Sequence, residues 1–105
     1  MKDHDYAADL GKYTTNVNQK AIDTIVRYCG IALRNVDSSL VAASSPDELA
    51  TVRDGFAAKK LGLDREAAEA GINKVVERMK DERRKHRVTF YYLLAEATGT
   101  FDKLL

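Results

Sequence analysis

The octapeptide Val88-Thr89-Phe90-Tyr91-Tyr92-Leu93-Leu94-Ala95 is the segment around which the remaining chain has to pack. Seven of its eight residues are apolar or aromatic. Such a short run fits either a buried strand or a buried helix, because periodicity alone cannot separate the two. The flanks favour a helix, since no Gly or Pro interrupts the chain between Gly71 and Gly99.

Capping residues set the limits of this predicted helix. Asp81 suits the N-cap, and Glu82 places a negative charge in the first turn, where the helix dipole favours it. Gly99 suits the left-handed position that ends many helices. We therefore predict a helix over residues 82–98. Its second half is apolar all round and is expected to form the hub of the fold, whereas its charged beginning, Glu82–Arg87, is expected to project towards solvent.

Length and composition describe a small globular protein. The chain has 105 residues, of which 45% are hydrophobic and 31% charged. We expect a single helical domain over residues 1–105, with residues 1–4 frayed. The net charge of +1 gives little long-range attraction for nucleic acid or an anionic membrane. One cysteine, Cys29, excludes an internal disulfide, and neither a secretory signal nor a membrane span is expected, so we assign the protein to the cytoplasm.

The periodic pattern of apolar residues predicts an all-α, compact bundle of about five helices. The sharpest local signal is Ser45-Pro46-Asp47-Glu48, a capping box in which Ser45 and Glu48 satisfy each other's backbone amides. Gly62 fits a left-handed helix end. Gly30 lies inside an apolar stripe. It marks either a close crossing with another helix or a position at which the helix merely tolerates a glycine. The predicted helices cover approximately residues 4–13, 18–33, 46–61, 65–80 and 82–98.

Two features concern packing and association. Ala67, Ala70 and Gly71 form a small-residue surface that permits close approach of a neighbouring helix. Phe101, Leu104 and Leu105 follow Gly99 and either fold back on the core or mediate self-association.

Several segments form a recognisable pattern: Ile31–Asn35 with Asp37, Ser39–Ala42, Ser45–Glu48, Lys59–Leu63 and Phe90–Ala95. Together they resemble one family of small bacterial proteins, the domain of unknown function DUF2853. The resemblance covers nearly the whole chain, in order and in spacing. It implies a bacterial cytoplasmic origin and a compact helical domain, and it carries no catalytic or binding residues.

A basic patch is the first candidate site. Its members are Arg83, Arg84, Lys85 and Arg87. On a helix, Arg83, Arg84 and Lys85 point about 100° apart, so they do not form one phosphate-binding face. The pairs Asp81–Lys85 and Glu82–His86 would neutralise part of the charge. We interpret the stretch 78–87 as a solvated helix end, with weak nucleic-acid binding or an acidic protein partner as alternatives.

A polar site is the second candidate. Arg34, Asn35 and Asp37 lie in a segment between two predicted helices, where a loop can carry a small site. The residues that could complete it are Arg53, Lys60, Tyr91 and Tyr92. Such a site would make the protein a small-ligand binder or an enzyme. We favour a structural interpretation over such a site, in which Arg34 and Asp37 form a salt bridge that fixes the loop.

Other catalytic or metal chemistry has weak support. Glu82 with His86, or the cluster Asp3-His4-Asp5, supplies too few ligands for an ordinary metal site. Cys29 is interpreted as a small buried hydrophobe. We assign no catalytic, metal or cofactor residues. The leading hypothesis is a non-enzymatic interaction or structural module whose partner is itself or another protein.

Overall fold

The computed structural model describes residues 6–15, 17–30, 33, 39–82 and 85–105. Over these residues the regular elements are helices, which confirms the all-α prediction. A π-helix, Arg53–Lys60, continues the third α-helix, and a 3₁₀ turn, Phe101–Leu104, follows the fifth. The α-helices are α1 (Tyr6–Leu10), α2 (Gln19–Cys29), α3 (Pro46–Val52), α4 (Arg65–Arg78) and α5 (Arg87–Ala97).

Helix α5 is the hub of the fold, as its apolar sequence predicts. Every residue from Arg87 to Ala95 is buried. Helices α1, α2 and α4 and the 3₁₀ turn all pack against it. A helix enclosed on every side has no polar face, which explains why the octapeptide lacks amphipathic spacing.

The predicted beginning of this helix is wrong. α5 begins at Arg87, not at Glu82, because the preceding backbone pairs with the segment after the second helix. Leu40 and His86 form an isolated antiparallel bridge. The amide of Arg87 donates to the Ser39 carbonyl, and the amide of Val41 donates to the Lys85 carbonyl, each over 2.7 Å.

This extended pairing corrects two further expectations. The prediction of Asp81–Lys85 and Glu82–His86 as i,i+4 pairs on one helix is wrong, because residues 82, 85 and 86 are not helical. Arg87 is 9% exposed, so the charged entry to α5 does not project towards solvent as a whole.

Helices α1 and α2 are shorter than predicted because glycine follows each. α2 ends at Cys29, where residue 33 was predicted, since Gly30 adopts a φ of 51° and its amide donates to the Val26 carbonyl. That left-handed conformation is one that glycine adopts without steric cost. α1 ends at Leu10, where residue 13 was predicted, and a turn follows from Gly11.

Side-chain caps hold three helix beginnings in the predicted places. Asn18 accepts from the Ala21 amide at α2, and Asp64 accepts from the Ala67 amide at α4. The Ser45 hydroxyl accepts from the Glu48 amide at α3. The predicted helix over 46–61 is present as α3 followed by the π-helix, and Gly62 ends it with a φ of 71°.

Helix α4 approaches α5 through Gly71, as the small-residue surface predicts. A Cβ atom on Gly71 would lie 2.4 Å from Cγ2 of Thr98 and 2.9 Å from Cδ1 of Leu94. Ala67 and Ala70 are exposed and take no part in this contact. The close approach therefore depends on one residue of the three.

The C-terminal residues fold back on the core. Leu104 is fully buried, and Phe101 packs edge-on against Tyr92 with ring centroids 4.9 Å apart. The Thr24 hydroxyl donates to the Leu104 carbonyl over 2.8 Å, which ties the turn to α2. Leu105 stays 55% exposed. Within the described residues, no helix is both long and apolar enough to cross a membrane.

Candidate functional site

The buried guanidinium of Arg87 is the centre of the most concentrated polar chemistry in the described structure. Its Nη1 donates to the Tyr91 hydroxyl over 3.0 Å, one helical turn along α5. Its Nη2 donates to the Leu40 carbonyl over 3.3 Å. The same atom lies 2.9 Å from Oε2 of Glu48, which comes from the first turn of α3. Two segments that lie more than 35 positions before Arg87 in the sequence therefore meet at its guanidinium.

Glu48 pairs with Arg87 and does not complete the predicted capping box. The half of the box in which Ser45 accepts from the Glu48 amide is present. The other half is replaced, because the Ser45 amide donates to the Ala42 carbonyl. Oε2 of Glu48 is buried and receives no well-aligned hydrogen bond from the described residues. Its contact with Arg87 is therefore an ion pair held by charge attraction.

The protonation states of Arg87 and Tyr91 are fixed near neutral pH. Burial disfavours the charge on Arg87, but the Tyr91 hydroxyl and the Glu48 carboxylate favour it more, so the pKa of Arg87 lies above its ordinary value. Burial also raises the pKa of Tyr91, although the positive charge of Arg87 opposes the change. Arg87 is thus a permanent cation and Tyr91 a neutral phenol, and neither exchanges protons readily near pH 7.

Three aromatic rings form a contiguous stack beside this cluster. Phe56 of the π-helix stacks on Tyr91 with centroids 4.0 Å apart and planes 13° from parallel. Tyr28 of α2 meets Phe56 edge-on at 5.3 Å and Tyr91 at 6.5 Å. We call Tyr28, Phe56 and Tyr91 the aromatic triad. Tyr28 is 43% exposed, while Phe56 and Tyr91 are buried, so the triad reaches the surface through one ring.

Cys29 follows Tyr28 and is half-buried against the core. Burial raises the pKa of its thiol to about 11, and the nearby Arg87 charge lowers it only partly. The thiolate is the nucleophilic form, and it is scarce at neutral pH when the pKa is this high. The structure agrees with the interpretation of Cys29 as a small hydrophobe.

Three described residues of the predicted polar site, Arg53, Tyr91 and Tyr92, have different partners. Arg34, Asn35 and Asp37 lie outside the described residues. Arg53 forms ion pairs with Asp54 at 2.8 Å and Glu69 at 3.1 Å, and the second of these carboxylates comes from another helix, α4. Lys60 is half-buried at the end of the π-helix.

The two tyrosines of that predicted site also point to different neighbours. Tyr91 belongs to the Arg87 cluster. The Tyr92 hydroxyl accepts from the Asn18 amide over 2.9 Å at the beginning of α2. Tyr92 therefore has a structural role in positioning α2.

The described members of the predicted basic stretch are paired within the protein. Arg83 and Arg84 lie outside the described residues. Lys85 donates through Nζ to the Glu82 carbonyl, and Arg87 is buried. Lys80 pairs with Glu77 at 2.8 Å. Among the described residues of this stretch, the arrangement leaves little unpaired positive charge for phosphate contacts.

A second buried polar cluster was not predicted. The carboxylate of Asp9, which is 5% exposed, accepts a hydrogen bond from the Thr89 hydroxyl of α5. Lys12 lies 3.2 Å from Asp9 and 3.5 Å from Glu82. Asp9 and Thr89 are 80 residues apart, and no local pattern in the sequence signals such a pairing.

A cleft of about 290 Å³ lies between α3 and α4. Its lining includes half-buried Leu49, buried Ile72 and the Arg53–Glu69 ion pair. The lining residues are Pro46, Leu49, Ala50, Arg53, Glu69, Ile72 and Asn73.

No group of three or more His, Cys, Asp or Glu side chains that could hold a metal ion occurs among the described residues. His86 lies against Tyr6, with ring centroids 6.1 Å apart. The predicted Asp3-His4-Asp5 cluster lies outside the described residues.

Comparison with known proteins identifies a family that covers nearly the whole chain. The sequence model of the family described as "Protein of unknown function (DUF2853)" matches residues 5–102. No curated protein matches the chain.

Proposed function

Because the chain belongs to DUF2853, a family of unknown function, we propose a function from the geometry: it is a small interaction module that binds a partner protein through the aromatic triad. The observation that carries this proposal is the exposure of Tyr28. Within the described residues, the large hydrophobic side chains that stay exposed are Tyr28 at 43% and Leu105 at 55%. Leu105 is the last residue of the chain, whereas Tyr28 is fixed in the body of the fold.

The surroundings of Tyr28 suit a binding residue. Its ring rests on Phe56 and Tyr91, so little side-chain entropy remains to be lost when a partner packs against it. Tyrosine is among the residues most enriched at the energetic centres of protein interfaces, where rigid aromatic side chains fill a partner's pocket. Arg27, the neighbouring residue of α2, is exposed and adds a positive charge at the edge of this surface.

The chemistry of the Arg87 cluster favours binding over catalysis. Arg87 stays charged and Tyr91 stays neutral, so this pair offers no proton carrier near neutral pH. The high thiol pKa of Cys29 makes it a poor nucleophile. The cluster instead anchors Tyr91, which in turn supports the exposed ring of Tyr28.

The cellular setting belongs to the same proposal. A bacterial cytoplasmic protein that folds as one domain agrees with the free thiol of Cys29, which reducing surroundings preserve. Self-association through Tyr28 is one form that the interaction could take. It would bury the exposed ring against a second copy of the chain.

The proposal is tested with the Tyr28→Ala variant. Affinity-tagged wild-type protein, Tyr28→Ala and Leu105→Ala are used as baits in extracts of the cells that produce the protein. We expect at least one partner that Leu105→Ala retains and Tyr28→Ala loses. Titration of that purified partner then shows binding weakened by about tenfold or more for Tyr28→Ala, as for an interface centre.

Light scattering after size-exclusion chromatography tests the self-association form. An oligomer of the wild type that becomes monomeric in Tyr28→Ala identifies the partner as a second copy. If the wild type is monomeric and every captured protein binds Tyr28→Ala equally well, the aromatic triad is not a binding surface.

A further inference from the structure

Helix α1 is attached to the fold by few apolar contacts. It has five residues, and Leu10 is its one fully buried apolar side chain. Tyr6 and Ala7 are half-buried at its beginning. By contrast, α5 beneath it is buried without interruption from Arg87 to Ala95. Segments with little apolar burial open at lower free energy than the core that they cover.

Polar contacts supply much of the remaining attachment. Asp9 reaches into the core to accept from Thr89, and Lys12 neutralises it from the surface, where Lys12 itself is 53% exposed. Lys12 also pairs with Glu82. Water can replace such contacts when the segment moves away, because each of these groups is solvated once it is released.

The turn after α1 is held in the same way. Arg78 of α4 donates to the Tyr13 carbonyl over 2.5 Å, and its guanidinium lies 5.9 Å from the centre of the Tyr13 ring. The Thr14 hydroxyl lies 3.5 Å from the Glu96 carboxylate of α5. Helix α1 and this turn together form one strip across α5, which we call the α1 strap (residues 6–14).

We propose that the α1 strap is a releasable cover, which opens as a unit while the rest of the fold stays packed and thereby uncovers the Thr89 face of α5. Opening costs the burial of Leu10, the packing of half-buried Tyr6, Ala7 and Tyr13 against the core, and the pairing of Asp9. It leaves the contacts among α2, α3, α4 and α5 in place. The uncovered surface includes the Thr89 hydroxyl, the His86 ring and the apolar side chains on which Leu10 packs. The strap is thus a conformational device separate from the aromatic triad.

Amide hydrogen exchange measures this opening directly. The reporters are the strap amides of Gly11, Tyr13 and Thr14 and the amides of Phe90–Leu94 in α5. The strap amides donate to carbonyls within the strap, and these hydrogen bonds are lost on opening, because so short a helix does not persist in water once it is released. Under conditions in which exchange reports the opening equilibrium, we expect the strap amides to exchange about 100-fold faster than those of α5.

Two variants separate local opening from global unfolding. Val52→Ala removes buried methyl groups from α3, which remains packed when the strap is open. It is expected to accelerate exchange in α5 about tenfold while leaving the strap amides unchanged. Asp9→Ala removes the acceptor of the Thr89 hydroxyl, which costs free energy only while the strap is closed and keeps water away. Because the closed state alone is destabilised, the strap amides are expected to exchange about tenfold faster. Asp23→Asn, at an exposed carboxylate of α2, is the matched control and changes neither rate.

The proposal is overturned if wild-type strap and α5 amides exchange at similar rates, or if Val52→Ala accelerates both sets together. Either result places the strap in the same cooperative unit as the core. Should Val52→Ala fail to fold, low concentrations of urea applied to the wild type replace it. Urea then accelerates the α5 amides far more steeply than the strap amides, because global unfolding exposes more surface.

Discussion

At the scale of single residues, one buried cation organises much of the polar structure. The positive charge of Arg87 lies at the beginning of α5. There it contacts the Glu48 carboxylate, the Tyr91 hydroxyl and the Leu40 carbonyl. A buried ion pair of this kind is weak evidence of net stabilisation, but breaking one leaves the surviving charge without compensation. The arrangement therefore specifies how α3, the Leu40 segment and α5 fit together.

Replacement of Glu48 by Ala tests this role. We expect Glu48→Ala to lower the free energy of unfolding by about 1–3 kcal/mol, a range reduced from that of a fully buried pair because both side chains keep some exposure. Glu69→Ala is the control, since Glu69 is 49% exposed in its ion pairs, and its effect is expected to stay within about 0.5 kcal/mol. Urea denaturation measures both, and equal losses would contradict the prediction.

Cys29 gives the protein a predictable response to alkali. Its thiol pKa rises from 9.0 when free to about 11 in the fold, because burial disfavours the thiolate. The folded state then holds its proton more tightly than the unfolded state. This contribution to stability is complete below pH 9 and is lost as the pH rises through about 11.

Cys29→Ala is expected to remove that part of the alkaline decline. After allowance for the partial exposure of Cys29, the free energy of unfolding of the wild type should fall by about 1–2 kcal/mol more than that of the variant across this interval. Urea denaturation of both proteins at pH 8 and pH 11 gives the comparison. Parallel declines would show that the thiol does not contribute.

At the scale of elements, the contact between α4 and α5 depends on a missing side chain. Gly71 lets the α4 backbone approach the side chains of Leu94 and Thr98. The Thr98 hydroxyl donates to the Leu94 carbonyl over 2.8 Å, which limits how far Thr98 can rotate away. A glycine inside a helix ordinarily weakens it by roughly 1 kcal/mol relative to alanine, and here the packing offsets that cost.

Gly71→Ala is therefore expected to destabilise the protein, although alanine favours helix. The added methyl group overpacks the contact, with a net loss of about 1–3 kcal/mol in the free energy of unfolding. Gly55→Ala in the π-helix is the matched control, because a Cβ atom on Gly55 would meet nothing within 4 Å and the φ of Gly55 is not positive. We expect that variant to be neutral or more stable by up to about 1 kcal/mol. Thermal denaturation distinguishes the two, and a stabilising Gly71→Ala would show that α4 and α5 can separate freely.

At the scale of the whole molecule, the chain closes on itself through its last turn. Leu104 inserts into the core beside α2 and α5, while Leu105 remains in solvent. The contact of Phe101 with Tyr92 and the bond from Thr24 to the Leu104 carbonyl support this closure. Two adjacent leucines thus have opposite environments.

Their substitution should show the difference. Leu104→Ala is expected to cost about 2–4 kcal/mol in the free energy of unfolding, because it removes buried methyl groups and leaves a cavity. Leu105→Ala is expected to change it by no more than about 0.5 kcal/mol, as is usual for an exposed position. Similar effects of the two variants in urea denaturation would mean that the C-terminal turn is not part of the cooperative fold.

Local chemistry was enough to predict that the chain is helical and where several of its helices begin or end, but not the site. Ser45, Asp64 and Gly62 mark element ends because their roles depend only on neighbours in sequence, and the unbroken apolar run of α5 predicts its enclosure on all sides. The beginning of α5, the diversion of Glu48 to Arg87 and the pairing of Asp9 with Thr89 were decided by tertiary structure. Each of these joins residues more than 35 positions apart, and which distant partner a buried charge finds depends on how the helices pack, a geometry that no local pattern contains.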